Sequence, residues 1–233
     1  EFEYKEADVP MAERPEIDRW ILSVLNTLVK NVDTCYNEYE PTKAGRLISE
    51  FVNDNLSNWY VRLNRKRFWG GGMTQAYQTL YTCLETVAKL MSPIAPFYAD
   101  MLYSDLIAAT GRDNVVSVHL AKFPEYKEEM IDKELEVRMQ MAQDVTSMVL
   151  ALRRKVNIKV RQPLQCIMIP VVDEEQRAHI EAVKALIMNE VNVKEIQFVD
   201  GAAGVLVKKV KCDFKKLGPK FGKQMKAVAA AVA

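Results

Sequence analysis

Apolar residues recur at three- and four-residue intervals through the first two-thirds of the chain, the signature of helices with one buried face. Between residues 15 and 39 they fall at Ile17, Ile21, Val24, Leu28, Val32, Cys35 and Tyr39, leaving Asp33 and Asn37 on the wet side. Pro41 suits a first helical turn. It opens a second run through Ala44, Leu47, Ile48, Phe51, Val52, Leu56, Trp59, Tyr60 and Leu63, which Gly70, Gly71 and Gly72 end. A third run starts at Thr74 with Tyr77, Leu80, Tyr81, Leu84, Val87, Ala88 and Met91, and breaks at Ser92-Pro93. A fourth follows Pro96 through Tyr98, Leu102 and Leu106 to Gly111. After a looser stretch over residues 112–127, a fifth extends from about Met130 to Val156, with Leu135, Met139, Ala142, Val145, Met148, Val149 and Leu152. Short connections between such stripes predict an antiparallel helical bundle.

The period changes after Pro163. Residues 164–172 form an apolar run of strand length. Asp173 is an N-cap candidate, and Gln176 three positions on completes a capping box. A helix with Ile180, Val183, Ala185, Leu186, Ile187 and Val191 follows, then alternating strands over residues 193–199 and 205–210. The expectation is a mainly α protein: a helical bundle followed by a small α/β subdomain. Residues 219–233 read as a basic helix without a polar cap, as if cut from a longer protein.

Composition first looks uninformative. Lys plus Arg number 32 against 31 Asp plus Glu in 233 residues, a net charge of +1. Segment by segment the picture changes. Residues 1–50 hold eleven acids against six bases, or −5. Arg62, Arg65, Lys66 and Arg67 place four positive charges in six positions. Residues 153–161 carry five bases and no acid, and residues 205–233 carry eight Lys against one Asp, or +7. Basic clusters of this kind are the footprint of a polyanion partner.

Trp59, Tyr60, Phe68 and Trp69 flank the first cluster, and aromatic and guanidinium surfaces stack unpaired bases. The plainer reading puts Trp59, Tyr60 and Phe68 in the core and leaves Trp69 as the exposed ring. Bases at a helix C-terminus also complement its dipole, which accounts for one or two of them. Composition alone leaves nucleic-acid binding and a solvated helix end equally open.

Signatures of catalysis are missing: there is no P-loop, no dinucleotide-binding glycine motif, no HExxH and no GxSxG. His119 and His179 have no Cys or His at ligand spacing, so no metal site is expected. Cys35, Cys83, Cys166 and Cys212 form no CxxC pair and read as reduced, buried thiols. No run reaches the ~18 apolar residues of a membrane span, and the acidic start is unlike a signal peptide. The expectation is a cytoplasmic protein.

Several words in the chain together resemble the anticodon-binding domain of the class I aminoacyl-tRNA synthetases, in particular the isoleucine-specific family. DRWILS at residues 18–23, YEPTKA at 39–44, FVND at 51–54, LSNWYVR at 56–62 and RFW at 67–69 carry the resemblance. So do LMSPIAPF at residues 90–97, KVNIKVRQPL at 155–164 and LGPKFGK at 217–223. The DRW opening and the SPIAPF-like turn belong to the superfamily, whereas LSNWYVR with RFW, RQPL and LGPKFGK resemble the isoleucine branch. The family's HIGH-like and KMSKS-like motifs are absent, so this portion is not expected to be an enzyme by itself.

The resemblance implies a lead-in over residues 1–15, an anticodon-binding bundle over 16–162, an α/β subdomain over 163–212 and a basic helix over 213–233. It implies no cofactor here, with ATP and magnesium belonging to a parent catalytic domain. Isoleucine tRNA and that catalytic domain would be the partners of a monomeric parent, a ligase of protein biosynthesis. On charge, the tRNA-facing candidates are Arg62, Arg65, Lys66, Arg67 and Trp69, then Arg153, Arg154, Lys155, Lys159 and Arg161, then Lys220 and Lys223. Two other readings stay open: the same domain of a valine enzyme, and a helical module whose basic faces meet an acidic protein.

Overall fold

The computed structural model describes residue 4 and residues 7–69, 74–112 and 115–200. The expected third strand and C-terminal helix lie outside the described residues. Two compact units divide the chain, residues 1–140 and 141–233.

In the first unit, α1 (Glu16–Asn37) is the central helix, touching α2 (Pro41–Glu50), the segment after it, and α4 (Thr74–Met91). Its burial exceeds a single stripe: Trp20, Leu22, Leu25 and Val29 are buried with Ile21, Leu28, Val32 and Cys35. Elements pack on several sides of it, so one apolar face is not enough. Tyr39 is not part of that face. It sits in the left-handed turn after α1, at φ 58° and 91% exposed.

The long second helix of the sequence reading is three pieces: α2, a π-helical segment Phe51–Val61 and α3 (Arg65–Trp69), with a turn at Asn64. The expected face is nonetheless buried at Ala44, Ile48, Phe51, Leu56, Trp59 and Tyr60. Phe51 and Leu56 are five positions apart. An α-helix would not bring them onto one side, and a wider i→i+5 turn does.

Helix α4 buries Ala76, Tyr81, Cys83, Val87, Ala88 and Leu90, together with the polar Gln78 and Thr79. The amide of Gln78 clips an extended N-terminal strap. Its Oε1 accepts from the Val9 N–H at 3.0 Å, and its Nε2 donates to the Ala7 carbonyl at 3.0 Å. Arg14 adds donors to the Val9 carbonyl and to Thr79 Oγ1, at 3.0 and 2.6 Å.

Helix α5 (Pro96–Thr110) ends at Gly111, whose φ of +63° favours glycine. Its buried residues are Ala99 and Tyr103, packed with Ala88 and Val118. The expected face was one position off: Leu102 and Leu106 are half-buried, and Tyr98 is 58% exposed. Helix α6 (Lys133–Lys155) begins with Asp132 Oδ1 accepting from the Leu135 N–H at 3.0 Å. Glu136 accepts there from Ser23 and Thr27 of α1, at 2.6 and 2.8 Å.

In the second unit, β1 (Leu164–Val171) and β2 (Val193–Asp200) pair in parallel, with Leu164 opposite Val193 and Ile169 opposite Phe198. Parallel pairing requires a crossover connection, and here it is helical. It is broken at Val183 into α7 (Glu174–Ala182) and α8 (Lys184–Val191) rather than running as one helix. The cap half of the expected box forms, with Asp173 Oδ1 accepting from the Gln176 N–H at 2.7 Å, whereas Gln176 Oε1 reaches one residue further back and accepts from the Val172 N–H at 2.9 Å. The fold is mainly α, a helical bundle with a small α/β region.

Candidate nucleic-acid interface

The first basic cluster lies at the end of the π-helical segment and on α3, and its members do not all face the same way. Arg67 points inward. Its guanidinium forms a two-point fork on Asp18, Nη1 to Oδ1 at 2.6 Å and Nη2 to Oδ2 at 2.7 Å, and Nη1 also donates to Asn64 Oδ1 at 2.8 Å. Asp18 is fully buried in the first turn of α1, and Tyr60 Oη donates to its Oδ1 at 2.9 Å. A carboxylate taken out of water needs such partners. The hydrogen bond that Arg67 donates to Asp18 raises its pKa above the ordinary value. Burial, and then the Asp18 charge, push the Tyr60 phenol well above the usual tyrosine range.

Two more contacts fix α3. The side-chain amide of Asn64 donates to the Tyr60 carbonyl at 2.8 Å, and Tyr77 Oη of α4 donates to the Phe68 carbonyl at 2.5 Å. The Phe68 ring lies edge-on between Tyr60 and Tyr77, at 6.3 and 5.6 Å. With Arg67 and Phe68 held inward, one five-residue helix must present Arg65, Lys66 and Trp69 outward, and all three are exposed. The Trp69 ring is 79% exposed, with the Arg65 guanidinium 5.6 Å from its centroid. Arg62 is exposed one turn earlier, its Nε donating to the Asn58 carbonyl at 2.7 Å. Trp59 and Tyr60 belong to the core and Phe68 is half-buried, so only Trp69 offers an open aromatic face here.

The second cluster, in the second unit, is sorted in the same way. Arg153 is buried, 3% exposed, and directs its donors to backbone carbonyls. Arg154, Lys155, Lys159 and Arg161 are exposed, and none has an acidic partner among the described residues. Lys220 and Lys223 lie outside the described residues. Arg67 and Arg153, counted by charge among the surface candidates, are thus the two that the fold turns inward. Charge density gave no sign of this direction, and it also missed Asp18, Asn64 and Tyr77. An acid beside Ile17 in the first turn of a buried helix was the available hint.

Other chemistry is thin. Among the described residues no group of His, Cys, Asp and Glu could hold a metal ion, and no helix is long and apolar enough to cross a membrane. Cys35 and Cys83 are buried free thiols and Cys166 is a half-buried one. Burial raises the Cys83 thiol above its ordinary pKa and so disfavours the reactive thiolate.

An open aromatic ring set among outward cations on a helical scaffold defines a surface suited to a polyanion with unstacked bases. Comparison with known proteins narrows that class. Residues 18–168 match the family model described as the anticodon-binding domain of tRNA ligase, and the chain belongs to that family. It is 91% identical over its whole length to an isoleucine–tRNA ligase of Bacteroides fragilis. Identity is 62% over 99% of the chain to that of Porphyromonas gingivalis, and 39% over 98% to that of Streptomyces avermitilis. The matched region is 21%, 20% and 22% of those three proteins, so the chain spans about a fifth of each.

Proposed function

We propose that the chain is the anticodon-arm recognition module of an isoleucine–tRNA ligase, holding isoleucine tRNA so that a catalytic portion outside this chain can aminoacylate it. The observation that carries this reading is the family match over residues 18–168, joined to full-length similarity to isoleucine–tRNA ligases. Those relatives favour the isoleucine enzyme over the valine enzyme and over a protein-docking module. ATP and magnesium would serve the catalytic portion, and the whole protein would work in the cytoplasm as a monomer. The domain division drawn from the resemblance, with its bundle over 16–162 and its α/β subdomain over 163–212, is part of the same proposal.

In this reading Arg62, Arg65, Lys66 and Trp69 face the anticodon stem-loop, cations on phosphate and the indole on an unstacked base. Arg154, Lys155, Lys159 and Arg161 take further phosphates, and Lys220 and Lys223 are proposed to add to them. Arg67 and Arg153 support those surfaces from inside. Binding energy collected here is used to position the distant acceptor end.

The test is fluorescence anisotropy with isoleucine and valine tRNA transcripts over a salt series. Isoleucine tRNA should bind more tightly. Arg65→Glu with Lys66→Glu should weaken binding and reduce the salt slope by roughly 0.7 to 0.9 for each phosphate left without its cation. Equal affinity for both tRNAs, insensitive to this charge reversal, would overturn the proposal.

A further inference from the structure

We infer that Arg153 is a positioning residue for a preformed phosphate-binding loop, residues 156–162 with the cations Lys159 and Arg161, rather than a phosphate ligand itself. This rests on the reading of the chain as a tRNA-binding module and deepens it for the second unit.

Four exposed cations fall within eight residues: Arg154 and Lys155 end α6, and Lys159 and Arg161 lie on the loop between α6 and β1. Like charges at this spacing repel, and long basic side chains on a free loop would lose much of their entropy on binding. The backbone beneath them is not free. Arg153 Nη1 donates to the carbonyls of Lys159 and Gln162, at 3.1 and 3.0 Å. Its Nη2 donates to the carbonyls of Val191 and Asn192 at the end of α8, at 2.8 and 3.1 Å. One planar fork therefore ties two loop carbonyls to two at the C-terminus of α8, of which that of Asn192 also accepts from the Leu164 N–H at 3.1 Å.

Asn192 completes the anchorage. It occupies the left-handed region at φ 52°, and its Nδ2 donates to the Val160 carbonyl at 2.8 Å. Asn157, at φ 56°, makes the turn off α6, where the Ile158 N–H reaches the Arg153 carbonyl at 2.9 Å. Carbonyls 159, 160 and 162 thus point to an internal donor set while the side chains of Lys159 and Arg161 stand in solvent. Among the described residues Arg153 has carbonyl partners and no carboxylate, so no acid there offsets the positive potential of the loop. The ligand chemistry this fits is a phosphodiester backbone, with cations at fixed separations.

The experiment is binding of isoleucine tRNA transcript by the whole chain over a salt series. It compares Arg153→Met, Arg153→Lys, Asn192→Gly and the pair Lys159→Met with Arg161→Met. The pair should weaken binding and lower the salt slope by roughly 1.5, the equivalent of two phosphates left without cations. Arg153→Met and Arg153→Lys should each weaken binding about 5- to 10-fold, because an ammonium cannot replace the fork. Asn192→Gly keeps the left-handed turn and removes no charge. It should weaken binding about 2- to 4-fold with the slope unchanged, which tests the loop even if Arg153→Met fails to fold. Added to the Lys159 and Arg161 pair, Arg153→Lys should have no further effect, a coupling that a general loss of stability does not produce. Wild-type affinity in Arg153→Lys, or an undiminished effect in the triple variant, would overturn the inference. Failure of the wild-type chain to bind tRNA would sink the functional reading itself. Neutrality of the Lys159 and Arg161 pair, with wild-type binding intact, would sink only the loop.

Discussion

Replacing Arg67 by methionine keeps the aliphatic stem and deletes the fork on Asp18. The carboxylate it leaves behind is fully buried, and among the described residues the Tyr60 hydroxyl is its remaining side-chain donor. Breaking one side of a buried ion pair costs about 3 to 5 kcal/mol. The Arg67 side chain is 16% exposed, so some water reaches the pair and the lower end applies, about 3 kcal/mol. Asp18→Asn keeps an acceptor for Tyr60 but turns amide hydrogens toward Arg67, and about 2 kcal/mol is expected. Joining the two substitutions removes both charges, so the double variant should be more stable than the additive sum by about 1 to 2 kcal/mol.

Urea unfolding read by tryptophan fluorescence measures this in a Trp69→Phe background, where the remaining Trp20 and Trp59 are both buried in the same unit. With a slope of about 3 kcal/mol per molar, Arg67→Met should move the midpoint down by about 1 M. A loss below about 0.5 kcal/mol, or strict additivity in the double variant, would refute the assignment of Arg67 to the interior. Arg67 would then return to the set of RNA contacts.

Trp69→Ala should leave the melting temperature nearly unchanged, since the ring is 79% exposed. It should weaken tRNA binding by about 5- to 100-fold, the effect of one base stack, and unchanged affinity would remove Trp69 from the site. Asp100 is held below the ordinary carboxylate pKa, first by the Ser117 hydroxyl and then by the Val118 N–H. Its stabilisation is therefore complete above about pH 4 and lost as pH falls through the depressed value. Asp100→Asn should lower the melting temperature at pH 7, and the gap should close only as pH falls through the depressed value; a constant gap from pH 7 to below that value would refute the linkage. In a Cys212→Ser background the half-buried Cys166 should react with a disulfide reagent well before Cys35 and Cys83, and fast labelling of Cys83 would contradict its burial.

Much of the fold was legible because helix faces and caps are local. The breaks at Ser92-Pro93 and Gly111, the Asp173 cap and the strands beginning at Leu164 and Val193 stand where periodicity and turn chemistry put them. Two things were not. A wheel drawn at 3.6 residues per turn cannot show a π segment, although the five-residue step from Phe51 to Leu56 was visible. Direction of charge was the other. Arg67 and Arg153 are indistinguishable from their neighbours in a count of basic residues, because what turns them inward is distant in sequence: Asp18 in one case, the Val191 and Asn192 carbonyls in the other. The buried Gln78 escaped notice for the same reason, its partners lying about 70 positions away, at Ala7 and Val9.

The widened segment Phe51–Val61 also acts as a counter of rotational phase. Each residue there turns the chain by roughly 80° instead of the roughly 100° of an α-helix. Across the nine steps from Phe51 to Tyr60 the difference accumulates to nearly half a revolution. Regular α-helical winding would swing Tyr60 to the far side from Phe51, away from Asp18, and carry Arg65, Lys66 and Trp69 around with it. A one-residue deletion in this stretch would do more than shorten a helix. It would re-aim the whole basic-aromatic turn, so the number of residues between Ile48 and Asn64 sets the direction of that surface.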